Sequence, residues 1–122
     1  MAAFTDPANA LDAALAIRDD IAAFNRHLAA ETGAGVAILV KIGLYSGACI
    51  AVTLNDRLDY FGSTVNLAAR LQGESAGGDI VVSEAMAAEP AVAERRRTLD
   101  TAQEEAVVKG FAESISLRRI LG

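Results

Sequence analysis

The run of mostly apolar residues from 36 to 54 restricts the possible folds of this 122-residue chain more than any other segment. It is long enough to raise the question of a transmembrane helix. Lys41 would be costly in the middle of a bilayer, and Gly43 and Gly47 would loosen a helix there. The same run is rich in Val, Ile and Leu, which favours two strands of a half-buried sheet. We therefore expect no membrane segment, and a hairpin that turns at residues 45–47.

A long helix is predicted before this run. Asp6 can cap the free backbone amides of a helix, and Pro7 suits the first helical position because it has no N–H to satisfy. Apolar residues then recur at steps of three and four up to Leu28, and Gly33 is a typical helix end. The pattern predicts one helix over residues 7–31, with a single apolar stripe packed on a sheet.

The rest of the chain alternates further helix and strand signals. Residues 91–106 are mostly charged or alanine-rich and carry no clear signal. The order helix, hairpin, helix, strand, hairpin predicts an α+β fold, with helices packed on one face of a mainly antiparallel sheet. The predicted elements are a helix over 65–72 capped by Ser63 or Thr64, a strand over 80–82, a short helix over 84–88 capped by Ser83 and ended by Pro90, and a terminal hairpin of 105–108 with 114–121.

Charge and cysteine content exclude several functions. The net charge of -5 argues against a protein that coats nucleic acid, because neutralising phosphates needs clustered Lys and Arg. Cys49 is the only cysteine, so no intrachain disulfide is possible, which fits a reducing cytoplasm. The first residues lack the charged and apolar regions of a signal peptide. We expect one cytoplasmic domain.

One pair of polar residues stands out on the predicted second helix. Asn66 and Arg70 are four residues apart, so both project from one face, about a turn from a helix N-terminus where anions are favoured. A planar guanidinium forms several hydrogen bonds with phosphate oxygens. The pattern is typical of a polyphosphate-binding face. Taken alone, it also fits an exposed Asn and Arg on an ordinary surface helix.

The wider segment from Lys41 to Glu84 resembles the class III adenylyl and guanylyl cyclases. It contains in order an Ile-Gly pair followed by Ser-Gly, the pattern T-V-N-x-A-x-R at 64–70, and G-x-I-x-x-S at 78–83. Residues 1–4 resemble the family's strand after its second metal-binding aspartate, and residues 107–110 its closing hairpin. The resemblance implies a ferredoxin-like class III cyclase fold. It also implies that residues 1–122 form a single partial nucleotidyl cyclase catalytic domain, N-terminally truncated and lacking its first strand and helix.

The resemblance also implies roles for single residues. Arg70 would stabilise the charge that shifts as a ribose 3′-hydroxyl attacks the α-phosphorus, and Asn66 would hold the ribose in line. Asp59, seven residues before Asn66, would accept a hydrogen bond from the adenine amino group. However, the Asp59-Tyr60 pair also permits a second alignment, in which Asp59 is a strand residue beside a local deletion. Lys109 would either reach the outer phosphates or be a solvated hairpin lysine.

The family's metal-binding half is expected to lie outside this chain. Both aspartates that hold Mg2+ or Mn2+ would precede Met1, so we expect no complete metal site here and no turnover by this chain alone. The family's active site forms between two protomers, which implies a homodimer or other oligomer with ATP as substrate and cyclic AMP and pyrophosphate as products. Two alternatives are a non-catalytic cyclase-homology regulatory or dimerisation module, and a guanylate cyclase.

Overall fold

The computed structural model describes residues 2–33, 37–47, 50–54, 57–61, 63–107 and 114–121. Helices and strands are both present along the described chain, as the sequence predicts. The helices are α1 (Pro7–Thr32), α2 (Ser63–Gly73), α3 (Glu84–Ala87) and α4 (Pro90–Arg96). The strands are β1 (Ile42–Leu44), β2 (Ile50–Leu54), β3 (Arg57–Phe61), β4 (Ile80–Ser83), β5 (Thr101–Val107) and β6 (Ser114–Ile120).

The predicted first helix is confirmed, together with both of its ends. The Asp6 carboxylate accepts a hydrogen bond from the Ala8 amide at 2.9 Å. At the other end Gly33 adopts a left-handed conformation with φ 65, and its amide donates to the Ala29 carbonyl. Only glycine reaches this conformation at little cost, so the chain leaves the helix at this point. Within the described chain, no helix is both long and apolar enough to span a bilayer.

Four strands form one sheet in the order β1-β4-β6-β5. The β1–β4 pair is parallel, with Ile42 opposite Ile80, whereas β4–β6 and β5–β6 are antiparallel. Strands β2 and β3 form a separate antiparallel pair. The α+β class with a mainly antiparallel sheet is therefore confirmed.

The predicted hairpin around residues 45–47 is wrong. Strand β1 pairs with β4, and β2 instead pairs with β3, ending at the Leu54–Arg57 pair. An Asn and an Asp separate β2 from β3 in the sequence, and such residues suit a two-residue hairpin connection better than 45–47 do. Pairing β1 with β4 also lets Ile42 pack against the buried core.

The helices occupy both faces of the four-stranded sheet, which differs from the predicted arrangement on one face. On the first face, α1, α3 and α4 enclose a cluster containing Leu11, Ile80, Val82, Val92 and Ile120. On the second face, Leu71 of α2 packs with Val81 and Leu117. Neighbouring residues of a strand point to opposite faces, so a fully buried strand such as β4 requires a layer on each side.

Two local predictions near β4 have different outcomes. The Ser83 hydroxyl accepts a hydrogen bond from the Met86 amide, which confirms the predicted cap of α3. The predicted helix end at Pro90 is incomplete, because Pro90 also begins the next helix, α4. Strand β5 begins at Thr101 rather than at residue 105, so the terminal hairpin is longer than predicted.

An ion network around the buried Asp79 holds the loop before β4. Asp79 accepts hydrogen bonds from the Ser75 hydroxyl, from the Gly77 amide at 3.2 Å and from Arg119. Arg119 also donates to Glu104 at 2.7 Å. Burial by itself would raise the pKa of Asp79, but the hydrogen bonds from Ser75 and Arg119, with the nearby guanidinium charge, outweigh it and lower that pKa.

This network predicts a loss of stability in acid. A lowered pKa means that the Asp79 carboxylate stabilises the folded state above its ordinary pKa of 3.8, and that this stabilisation is lost as the pH falls towards the lower pKa of the folded state. The free energy of unfolding, measured by urea titration at a series of pH values, is expected to decrease across this range. Asp79→Asn should remove this decrease in the free energy of unfolding with falling pH. The control Asp100→Asn, at an exposed position, should retain it. An unchanged slope in Asp79→Asn would contradict the assignment.

Candidate active site

Helix α2 presents one face to the sheet and the other to solvent. Leu71 is fully buried, and Ala68 one turn earlier is half-buried. Asn66, Ala69 and Arg70 are exposed. The spacing of three and four residues therefore divides the helix into a packed side and a side free to contact a ligand.

Two glycines bring α2 unusually close to the chain around β1. A Cβ atom on Gly43 would lie 2.2 Å from the backbone nitrogen of Gln72 and 2.8 Å from the carbonyl oxygen of Ala68. A Cβ atom on Gly47 would lie 2.7 Å from the Thr64 hydroxyl oxygen. At Gly43 the nearest atoms belong to the backbone of α2 and cannot rotate away, whereas at Gly47 they belong to side chains. Gly43 thus fixes the distance between α2 and β1, and with it the position of the exposed face.

Asn66 and Arg70 share that exposed face and are available to a ligand. Within the described part of the chain, neither side chain forms a hydrogen bond or an ion pair. By contrast, Arg118 binds Glu84 through two hydrogen bonds of 2.9 and 3.0 Å, and Arg119 binds Asp79 and Glu104. The donors of Arg70 are therefore not used to hold the described fold together.

The structure corrects one argument about this pair. Asn66 lies in the first turn of α2, but Arg70 lies in its last turn. The helix dipole favours anions at the N-terminus and cations at the C-terminus. The predicted attraction of anions to the helix N-terminus therefore applies to Asn66 alone. At the other end, the guanidinium itself must supply the positive charge for a phosphate.

The other two candidate residues are less fully described. Asp59 lies in β3, paired with Val52, and its side chain is outside the described atoms. Strand β3 ends at Phe61 and α2 begins at Ser63, so Asp59 and Asn66 belong to consecutive elements. Lys109 lies outside the described residues. Their roles stay predictions.

The described residues do not fit a divalent metal site. Asp6 caps α1, Asp12 pairs with Arg95 at 2.8 Å, and Asp19 lies 3.4 Å from Arg18. No group of three His, Cys, Asp or Glu side chains within the described ranges is placed to hold an ion. We therefore derive no catalytic step through a metal from these residues.

The role of the glycines was missed from the sequence. In the sequence, Gly43 and Gly47 interrupt an apolar run and belong to the Ile-Gly and Ser-Gly pairs of the family pattern, but neither feature indicates a packing role. The available signal was the small side chain of Ala68 on the packed side of α2, which permits a close helix–strand approach. A single sequence does not show which strand that helix contacts, so the pairing required the structure.

Comparison with known proteins identifies the family of the chain. The chain matches the family model described as adenylate and guanylate cyclase catalytic domain over residues 4–116. It belongs to this family. A comparison of this cyclase-family chain with curated protein sequences gave no significant match.

Solved structures of cyclases share the fold. The adenylyl cyclase CyaB from P. aeruginosa superposes with a TM-score of 0.74 at 22% identity, over 96% of this chain and 59% of that chain. The adenylate/guanylate cyclase/hydrolase from Silicibacter pomeroyi gives 0.71 at 25%, over 98% and 64%. The guanylate cyclase domain of RhGC from Catenaria anguillulae, solved in complex with GTP, gives 0.70 at 26%, over 93% and 58%. The cyclase-family chain thus spans about three-fifths of the length of these relatives.

Proposed function

We propose that this cyclase-family chain is part of an adenylate cyclase that converts ATP to 3′,5′-cyclic AMP and pyrophosphate. The observation that carries the proposal is the exposed Asn66–Arg70 face of α2. Both side chains lack partners within the described chain, and Gly43 fixes the helix that bears them. Such an arrangement suits contacts with a nucleotide better than a structural role in the described fold.

The proposed chemistry is an in-line displacement at the α-phosphorus. The 3′-oxygen of the ribose forms a bond to the α-phosphorus, the bond to the bridging oxygen breaks, and pyrophosphate leaves with that bonding pair. Negative charge shifts on the non-bridging and leaving oxygens during this step. Arg70 donates hydrogen bonds to these oxygens, and Asn66 positions the ribose so that its 3′-oxygen is in line. The hydroxyl proton leaves to a base outside the described residues.

We further propose that the complete active site forms between two protomers. Asn66 and Arg70 face solvent, Asp6 caps α1, and Asp12 and Asp19 of α1 lie in ion pairs with arginines. A second protomer that supplies the metal-binding residues would cover the exposed face of α2. On this proposal the chain alone has no cyclase activity.

The base specificity is proposed to depend on Asp59. A carboxylate accepts a hydrogen bond from the amino group of adenine, whereas the corresponding position of guanine is a carbonyl oxygen that cannot donate. Guanylate cyclase is the second candidate function. It is favoured by the likeness to the Catenaria domain solved with GTP, at 26% identity.

Asp59→Asn tests the base specificity. The amide keeps the size of the side chain but removes the charge, and a hydrogen bond to a charged group contributes about 1.5–3 kcal/mol. The ratio of kcat/KM for ATP to that for GTP is expected to fall by about tenfold or more. The matched control is Asp56→Asn, which should leave the ratio unchanged. If Asp59→Asn also leaves the ratio unchanged, Asp59 does not select the base.

The activity itself is tested with the chain extended upstream by the segment expected to carry the two metal-binding aspartates. With Mn2+ and ATP, this protein is expected to release cyclic AMP and pyrophosphate in equal amounts. Release of cyclic GMP from GTP alone would assign the guanylate cyclase function. Dimerisation without any cyclic product would assign the regulatory module.

A further inference from the structure

The position of Arg70 depends on what holds the last turn of α2. Arg70 lies in that turn, and its side chain forms no hydrogen bond or ion pair within the described part of the chain. The backbone of the turn therefore limits the space that the guanidinium can reach. Gly43 limits how closely α2 approaches β1, but it does not attract the helix. A contact that holds the last turn against the sheet would also position Arg70.

Arg119 of β6 makes such a contact just beyond the last turn. It pairs with Val81 in the sheet and lies two residues after Leu117, so it is on the face that packs against α2. Its Nη2 atom donates to the carbonyl oxygen of Glu74 at 3.1 Å. The Glu74 amide in turn donates to the Leu71 carbonyl of α2 at 3.0 Å. Arg119 thus ties the C-terminal end of α2 to a central strand of the sheet.

Two carboxylates hold the other donors of Arg119. Its Nη1 atom donates to Asp79, and its Nε atom donates to Glu104 at 2.7 Å. The side chain of Asp79 is only 6% exposed, so this ion pair is largely shielded from water. With its three nitrogen atoms bound, the planar guanidinium has a fixed orientation. It is therefore held in place to donate to the Glu74 carbonyl.

The loop from α2 to β4 closes on the same carboxylate. The Ser75 amide donates to the Gln72 carbonyl of α2 at 3.2 Å, and the Ser75 hydroxyl donates to Asp79. The Gly77 amide lies 3.1 Å from the Ser75 hydroxyl oxygen and 3.2 Å from the Asp79 carboxylate. Asp79 therefore joins the residues that leave α2 to the guanidinium of Arg119.

We propose that Arg119, held by Asp79, is a positioning residue that places the Arg70 guanidinium for its contact with the reacting phosphate. The inference rests on the function proposed for Arg70. Arg119 acts through the Glu74 carbonyl and the last turn of α2, since its own nitrogen atoms are already bound. A displacement of about 1 Å at a reacting group can cost about 10²-fold in rate. The contribution of Arg119 is therefore to kcat rather than to the binding of ATP.

The test is a double-mutant cycle in the complete cyclase, the chain extended upstream. Arg119→Lys keeps the positive charge, but a single ammonium group cannot hold the three acceptors in the same geometry. The substitution is expected to lower kcat by about 10- to 10²-fold and to leave KM for ATP unchanged. In the Arg70→Ala protein the same substitution should leave kcat unchanged, because the group that Arg119 positions is absent.

The matched control is Arg118→Lys. Arg118 precedes Arg119 in β6, and both side chains are 18% exposed. Arg118 also donates through three nitrogen atoms, but to Glu84 and Thr101 rather than to the end of α2. Urea titration is expected to show that both lysine variants are less stable than the original protein, whereas only Arg119→Lys lowers kcat. An equal loss of kcat in Arg118→Lys would overturn the inference.

The cycle separates this inference from the function on which it rests. An equal relative fall of kcat with and without the Arg70 side chain would show that Arg119 only supports the fold, and would leave the function proposed for Arg70 intact. Full kcat in Arg70→Ala alone would overturn that function and the inference with it. If Arg119→Lys does not fold, Ser75→Ala replaces it in the cycle, because the Ser75 hydroxyl holds Asp79. The same dependence on Arg70 is then expected, and equal effects in both proteins would again overturn the inference.

Discussion

Replacing Arg70 by alanine is expected to lower the kcat of the complete cyclase by about 10²- to 10³-fold, the usual cost of losing one preorganised donor to transition-state charge. The free energy of unfolding should stay within about 0.5 kcal/mol of the original value, because the side chain is exposed and has no partner in the described chain. Steady-state kinetics with ATP and a urea titration measure the two quantities.

The matched control is Arg26→Ala, which removes another exposed arginine far from α2 in the sequence. It should leave kcat unchanged. An Arg70→Ala protein that retains full kcat would remove the role proposed for the guanidinium. A loss of kcat accompanied by a fall of several kcal/mol in the free energy of unfolding would show that Arg70 has a structural role.

Gly43→Ala is expected to lower the free energy of unfolding by about 3 kcal/mol, at the upper end of the usual cost of overpacking a core. The added methyl group would meet backbone atoms of Gln72 and Ala68, at 2.2–2.8 Å, and neither can rotate away as a side-chain end can. Strand and helix must separate, which also displaces Asn66 and Arg70. Thermal or urea unfolding measures the stability, and cyclase kinetics measure the displacement.

Gly73→Ala provides the comparison for this effect. Nothing lies within 4 Å of a Cβ atom at Gly73, so the change should be close to neutral. If Gly43→Ala were as stable as Gly73→Ala, the close approach of α2 to β1 would not determine the position of the site.

The sequence was sufficient to predict an element where interactions between neighbouring residues determine its ends. Asp6 with Pro7 and Gly33 predict α1, because capping groups and a left-handed glycine act on adjacent residues. The strand pairing of β1 was not predictable in the same way. Its partner β4 lies far along the chain, and a strand of only three residues pairs equally well in several registers. The second face of the sheet was missed for the same reason, whereas α4 was missed because Pro90 was interpreted as a helix end rather than as the first turn of a helix.

The sequence was sufficient to predict the residues of the candidate site, but not the contacts that hold them in place. Asn66 and Arg70 share a face because four residues make about one helical turn, and the structure places both side chains in solvent. The contact between Gly43 and α2 and the network of Asp79 with Arg119 join residues distant in sequence. No local pattern indicates such contacts, since they depend on how the layers stack.

The central claim is that Asn66 and Arg70 act on a nucleotide held by the metal-binding residues of another protomer. Its most direct test mixes two inactive forms of the complete cyclase, one with Arg70→Ala and one with its metal-binding aspartates replaced. In a mixed homodimer one of the two sites would be intact, so random mixing should restore about a quarter of the original cyclic AMP production. A mixture that remains inactive, although mass measurements show mixed dimers, would contradict the account.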